Sequence, residues 1–187
     1  MLIVDDVEDN RALLGMALKR AGLADVKFAK DGEEGLAMTY QLRPDLVLLD
    51  VQMPTMDGLE MCRRLRADPA TAGLPVIFQT ALSSDDERVA CFEAGGTDMV
   101  AKPINRREVV ARIRNHLEKR ILFRDLDAFR RRIAQELAQA RSLQIGLTPS
   151  RRALDAVEKR LDVSIQATFE PSSEVGGDLW TLFDLDN

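Results

Sequence analysis

Up to about residue 118, short apolar runs alternate with stretches in which apolar residues recur every three to four positions. The runs cover residues 2–4, 26–29, 46–49, 76–79 and 99–101. The stretches between and after them, roughly 10–21, 33–41, 59–67, 86–94 and 106–117, carry the helical period. Runs with no polar face, separated by helices, predict strands buried on both sides in a parallel sheet. Turn-forming residues agree with this division: Gly22, Asp31-Gly32, Pro44, Gly58, Gly73-Leu74-Pro75 and Gly95-Gly96 all fall between predicted elements. The expected architecture is α/β, and there is no internal repeat or low-complexity tract.

Beyond residue 118 the pattern changes. Residues 118–147 hold no proline, and no glycine before Gly146, which predicts one long helix continuous with the fifth helix of the α/β region. Pro149 ends it, because proline disfavours helix in the residue before it. Within this helix Leu126, Ile133, Ala140 and Leu147 recur every seven residues, with Leu137 between and Arg130 and Gln144 as weaker members. Such a stripe either packs on its own domain or forms a two-stranded coiled coil; the narrow stripe favours the coiled coil and hence a homodimer through this helix. The Arg130-Arg131-Arg132 run, flanked by Asp127 and Glu136, reads as a solvated helix face. A short helix over 151–161 and a strand over 163–169 are expected next, followed by an apolar, acidic stretch to Asn187. The chain thus divides into residues 1–118, a helical linker over 119–148, and a partial α+β segment over 149–187.

Composition narrows the function classes. The 187 residues carry a net charge of -5 and are 45% hydrophobic and 30% charged. That balance argues against bulk electrostatic binding of nucleic acid or anionic lipid, so no DNA partner is expected. Cys62 and Cys91 both fall in helical patterns and read as free thiols of a reducing compartment. No apolar run approaches the roughly 18 residues of a membrane span, and no basic region precedes an apolar stretch at the start. The expected location is the cytoplasm, without membrane contact.

Five polar residues stand where the predicted strands end. Asp5 and Asp6 follow the first strand, Asp50 closes the third, Thr80 closes the fourth and Lys102 follows the fifth. In an open parallel sheet the carboxyl ends of the strands line the ligand crevice, so these residues converge on one rim. Three carboxylates together repel, and a hard divalent cation such as Mg²⁺ relieves that repulsion. A carboxylate can attack phosphorus to give an aspartyl phosphate. Lys102 would supply positive charge to the phosphoryl oxygens and Thr80 a hydroxyl donor, which is most of what phosphoryl transfer requires.

The segments Val4-Asp5-Asp6, 48–58 (Leu-Leu-Asp-Val-Gln-Met-Pro-Thr-Met-Asp-Gly), Thr80-Ala81 and Lys102-Pro103 resemble those of response-regulator receiver domains over about residues 1–118. The resemblance implies a flavodoxin-like, doubly wound five-stranded parallel sheet. It implies that Asp50 is the phosphoacceptor, that Asp6 binds Mg²⁺ directly and Asp5 largely through water, and that the Gln52 backbone carbonyl completes the protein ligands. A cis Lys102-Pro103 peptide is implied as well. The donor in that family is a phosphohistidine on a sensor histidine kinase or phosphotransfer protein. The only histidine here, His116, lies on a charged helix and reads as a surface residue, so the donor is expected to act in trans. Two features depart from the family: Met99 stands where an aromatic switch residue is usual, and the first strand begins almost at Met1, as if a few leading residues were missing.

A second resemblance begins near residue 138. The residues 140–144 (Ala-Arg-Ser-Leu-Gln), Leu147-Thr148-Pro149, Pro171 and 174–178 (Glu-Val-Gly-Gly-Asp) resemble the opening of PPM-type serine phosphatases of the sporulation and stress-response group. The resemblance implies that Asp178 binds a catalytic Mn²⁺ or Mg²⁺ and that the substrate is a phosphoserine on an anti-sigma-factor antagonist. Thr181 departs from the acidic residue common there. A two-metal site needs further carboxylates, so the phosphatase is expected to be truncated here and its tail incompletely folded. The rival expectation is a non-enzymatic response regulator whose linker helix binds a protein or RNA partner; no helix-turn-helix follows the first domain to suggest a transcription factor.

Overall fold

The computed structural model describes residues 1–81, 84–166 and 181. The chain separates into two compact units, Met1–Leu122 and Phe123–Asn187.

The first unit alternates strand and helix: β1 (Leu2–Val4), α1 (Glu8–Arg20), β2 (Lys27–Ala29), α2 (Gly32–Leu42), β3 (Val47–Asp50), α3 (Gly58–Ala67), β4 (Val76–Thr80), α4 (Asp85–Glu93), β5 (Asp98–Ala101) and the start of α5 (Arg106–Leu147). The strands form one parallel sheet in the order β2-β1-β3-β4-β5. This is the flavodoxin-like fold, and it has the five strands expected. Every residue of β1, β3 and β4 is buried, whereas Lys27 and Phe28 of the edge strand β2 are exposed. Alternate residues of these strands divide into two cores. Val4, Leu49 and Phe78 pack with Met61, Leu65 and Cys91 on one side. Ile3, Leu48, Ile77 and Val100 pack with Leu14, Leu18, Val109 and Ile113 on the other.

Local chemistry sets the helix starts. Asp31, Asp57 and Ser84 each accept a hydrogen bond from the backbone N–H three residues on, capping α2, α3 and α4. α1 begins at Glu8, ahead of its apolar period, with Glu8 and Asp9 in a first turn that favours negative charge. Chain order reverses direction at β1, whose neighbours are β2 and β3; in this fold the crevice opens at that switch point.

In the second unit α5 runs on to Leu147, 42 residues in all, as the absence of breakers predicted. α6 (Arg151–Leu161) follows, capped by Ser150, which accepts from the Ala153 N–H. Leu154 of α6 and Gln144 of α5 are buried. Gln144 therefore does not belong to an outward stripe, contrary to expectation, and Leu137 is half-buried. Leu126, Phe129, Ile133 and Leu147 are exposed. The expected strand over 163–169 is not formed in its described part, Val163–Gln166. There the Ile165 N–H donates to Glu158 Oε1 and the Ile165 carbonyl accepts from Arg151, so its backbone groups bond to α6 side chains and not to a neighbouring strand. Pro171, the 174–178 run and Asp178 lie outside the described residues.

Candidate functional site

Because β1, β3, β4 and β5 run parallel, their carboxyl ends lie on one edge of the sheet, and the residues that end or follow them meet there. Asp6, Val7, Asp50, Val51, Gln52, Thr80, Ala81 and Lys102 line a cleft of about 220 Å³. Carboxylate oxygens of Asp5, Asp6 and Asp50 lie within 4.8 Å of one another. Asp5 and Asp50 are buried, while Asp6 is exposed at the mouth. The five residues expected at the rim are therefore together, with Gln52 on the cleft wall beside them; Asp178, the remaining expected site residue, lies outside the described part.

Lys102 reaches across the carboxylates. Its Nζ donates to Asp50 Oδ2 at 2.6 Å and stands 3.5 Å from Asp5 Oδ2. Its own peptide bond to Pro103 is cis, in agreement with expectation. Burial pushes the Asp50 carboxyl above its ordinary value; the Lys102 hydrogen bond and charge pull it partly back, and the Asp5 charge adds to the rise. One ammonium against three carboxylates leaves an excess of negative charge. That excess, together with closely spaced oxygen donors, suits a small hard cation, and the donor set fits Mg²⁺.

Further residues hold the site and were not anticipated. Asp5 accepts from the Val7 N–H at 2.9 Å and from Asn10 Nδ2 at 3.2 Å on both oxygens. Arg11 Nη1 donates to the Asp5 carbonyl at 2.5 Å. Asn10 and Arg11 sit in the first turns of α1, and in the sequence Asn10 reads only as a helix start. The loop after β3 closes through the Gly58 N–H to the Val51 carbonyl, 2.9 Å, with Thr55 in the left-handed region at φ 68°. Met99 is buried in the core beside Val76 and Phe78.

A second polar cluster lies on β5 and α5. Asp98 receives two hydrogen bonds from Arg112, 2.8 and 3.0 Å, and contacts His116 Nε2 at 3.1 Å. Burial alone would raise the Asp98 carboxyl; the Met99 N–H, His116 and Arg112 outweigh it and hold the group below its ordinary value. His116 is thus mostly buried in this pairing, not the surface residue that its charged helix suggests. A histidine engaged with a structural carboxylate is no phosphocarrier, so the expectation of a donor in trans is unaffected.

Comparison with known proteins follows from this geometry. Residues 1–114 match the family model described as the response regulator receiver domain. RpaA, a DNA-binding dual master transcriptional regulator of Synechocystis, is 40% identical over 119 residues, 64% of this chain and 49% of RpaA. The response regulator PleD of Caulobacter vibrioides is 43% identical over 115 residues, 62% of this chain and 25% of PleD. The solved receiver domain of a signal transduction histidine kinase from Syntrophus aciditrophicus aligns with a TM-score of 0.60 at 31% identity, covering 63% of this chain and 89% of that one. The chain spans about half or less of the length of these curated relatives.

Proposed function

The chain belongs to the response regulator receiver family, phosphoacceptors of two-component signalling, and on that premise we propose that Asp50 accepts the phosphoryl group. The observation that carries the assignment is the reach of Lys102 over Asp50, with Asp5 and Asp6 beside them. Lys102 holds Asp50 Oδ2, which leaves Oδ1 as the carboxylate oxygen unshared with the ammonium. In the reaction an Asp50 oxygen forms a bond to phosphorus as the donor's phosphorus–nitrogen bond breaks, and the histidine departs with that electron pair. Lys102 then faces the new phosphoryl oxygens, and Thr80 on the cleft wall offers its hydroxyl. Asp5, Asp6, Asp50 and the Gln52 carbonyl would hold Mg²⁺, which when bound neutralises phosphoryl charge. Asn10 and the Val7 N–H keep Asp5 oriented toward that position.

With acetyl phosphate and Mg²⁺ as a small-molecule donor system, intact-mass measurement is expected to show one phosphoryl group on the chain and none on Asp50→Asn, since an amide is not the nucleophile. Equal phosphorylation of the variant would remove Asp50 from the role. The physiological donor is a sensor histidine kinase or phosphotransfer protein, and the location is the cytoplasm; among the described residues no helix is long and apolar enough to cross a membrane.

The output belongs to the same reading. Phosphorylation would control a PPM-type serine phosphatase beginning near residue 149, acting with Mn²⁺ or Mg²⁺ through Asp178 on a phosphoserine anti-sigma-factor antagonist. Its support is the sequence resemblance of residues 138–187. The exposed Leu126, Phe129 and Ile133 supply the seam of a parallel two-stranded coiled coil, because they fall at first and fourth positions of successive heptads. The competing reading, a linker helix that captures a protein or RNA partner, draws on the same exposed residues.

A further inference from the structure

Among the described residues, the buried side-chain atoms without a hydrogen-bond partner are Arg66 Nη1 and both polar atoms of Gln79, Nε2 and Oε1. Arg66 is still held through Nε, which donates to the Gly95 carbonyl at 2.8 Å. The Gln79 carboxamide has no such anchor, although the residue is fully buried in β4. A buried amide in that position gives up its bonds to water and gains none, so it costs stability. Its presence calls for a reason beyond packing.

The place of Gln79 in the sheet supplies one. It pairs with Asp50 of β3 on one side and with Val100 of β5 on the other. Paired residues of neighbouring strands send their side chains to the same face. β1 extends the row: Val4 pairs with Leu49, so Asp5 stands beside Asp50. Asp5, Asp50 and Gln79 thus form a polar row across three strands, next to the apolar row of Ile3, Leu48 and Ile77 in the core under α1 and α5. The strands are joined at this level, since the Val51 N–H donates to the Gln79 carbonyl at 3.1 Å. A strand spacing of about 4.8 Å is one that a glutamine side chain can span. Gln79 does not line the Asp50 cleft, so its amide reaches Asp50 from within the protein.

Lys102 Nζ donates to Asp50 Oδ2 in the resting chain. In phosphoryl transfer that ammonium is drawn to the new phosphoryl oxygens. With phosphorus on Oδ1, Oδ2 becomes the carbonyl oxygen of the acyl phosphate and loses the ammonium that held it. A donor without a partner and an acceptor losing its own then stand on adjacent strands. Resting on the reading of Asp50 as the phosphoacceptor, we propose that Gln79 is a positioning residue for the phosphorylated state: its Nε2 turns to Asp50 Oδ2 and donates to it when Lys102 turns to the phosphoryl group. The unpaired amide weakens the resting chain, and the bond it forms on phosphorylation favours the modified one and fixes the plane of the acyl group.

The test uses the full chain with Mg²⁺ and the beryllium trifluoride anion, a tetrahedral stand-in for the phosphoryl group that binds a carboxylate oxygen and is not hydrolysed. Gln79→Met keeps the length of the side chain and loses its amide. Without the anion this variant should melt about 2–4 °C above the parent, because the unpaired group is gone. Its affinity for the anion, read from melting temperature against anion concentration, should be about fivefold weaker than the parent's. Ile77→Val, on the same face and apolar throughout, should leave that affinity unchanged. A packing role alone would move the melting temperatures of the free and bound forms together and leave the affinity where it was. The parent gives a further reading that needs no variant: the Gln79 side-chain amide resonances should shift when the anion is added, as one proton enters a hydrogen bond. Unchanged anion affinity in Gln79→Met, a lower melting temperature of that variant without the anion, or amide resonances indifferent to the anion overturns the proposal. Asp50→Asn is measured alongside. A parent that ignores the anion, or an Asn variant that responds equally, removes Asp50 from its role and this inference with it, an outcome distinct from a responsive parent with an equally responsive Gln79→Met.

Discussion

Two aspartates of the first unit sit on opposite sides of the ordinary carboxylate range, and the difference sets opposite pH responses. Burial raises Asp50, so the folded chain holds that proton more tightly than the unfolded chain does. Stability from this group is therefore present at low pH and is lost as pH rises from the ordinary value of 3.8 through the raised one. Asp50→Asn, which cannot ionise yet still offers Lys102 an oxygen, is expected to melt higher than the parent at neutral pH without metal. The gap should close on acidification to about pH 4, and Mg²⁺ should raise the melting temperature of the parent but not of the variant. Scanning fluorimetry across that range checks it, and a variant that melts lower at neutral pH would contradict the account. Asp98 runs the other way: its folded value is depressed, so its contribution is present at neutral pH and disappears as pH falls below the ordinary range. Asp98→Asn should accordingly destabilise at neutral pH, with the deficit shrinking in acid. The sequence made Asp5, Asp6, Asp50, Thr80 and Lys102 legible because parallel strands force their ends together. It left Asn10 and His116 illegible, because each depends on a partner fixed only by packing: Asn10 on the turn that aims it at Asp5, His116 on the register of α5 against β5.

At the scale of elements, alternation of apolar runs and helical periods was enough to place the strands and helices of the first unit among the described residues, because two-sided burial leaves the inner strands no polar face. Ends were less legible. β5 begins at Asp98, ahead of its apolar run, since Asp98 already pairs with Ile77 of β4. A strand was expected over 163–169, and in the described part, Val163–Gln166, it gave way where Glu158 and Arg151 took the backbone bonds of Ile165. The heptad stripe was legible as a period but not as a face: Gln144 is buried and Phe129, unmarked in the sequence reading, is exposed. One joint shows how closely an element constrains the site. A Cβ at Gly58 would collide with the Asp50 carbonyl oxygen and come within 3.1 Å of Leu49 Cγ, whereas one at Gly73 meets nothing within 4 Å. Gly58→Ala should then cost about 1–3 kcal/mol or more in urea unfolding and slow phosphorylation of Asp50, because the strain falls on that residue's own backbone. Gly73→Ala should be close to neutral on both. Equal tolerance of the two substitutions would show that the loop after β3 relaxes freely.

For the whole molecule, the issue is how a phosphoryl group of one unit can matter to the other. A receiver biases an equilibrium between pre-existing states by only a few kcal/mol, so any assembly it controls has to be finely balanced. The proposed coiled coil has that character. Leu126, Phe129 and Ile133 are exposed and in heptad register, yet the fourth position of the next heptad is Glu136 and the following first position is the half-buried Ala140. A seam interrupted in this way associates weakly. Burying one large apolar side chain contributes about 1.5–3 kcal/mol, so each of the three is a sizeable fraction of what a weak dimer has. Phe129→Asp with Ile133→Asp is expected to give a monomer by sedimentation velocity at concentrations where the parent is dimeric, with Asp50 still taking its phosphoryl group from acetyl phosphate, because neither residue belongs to the first unit. Leu137→Asp is the informative contrast. Leu137 is half-buried within its own unit, so that change should lower the melting temperature without separating the dimer to the same degree. If the Phe129 and Ile133 variant sediments like the parent, the exposed stripe is not a dimer seam, and the capture of another protein or RNA by this helix becomes the reading that its exposed side chains favour.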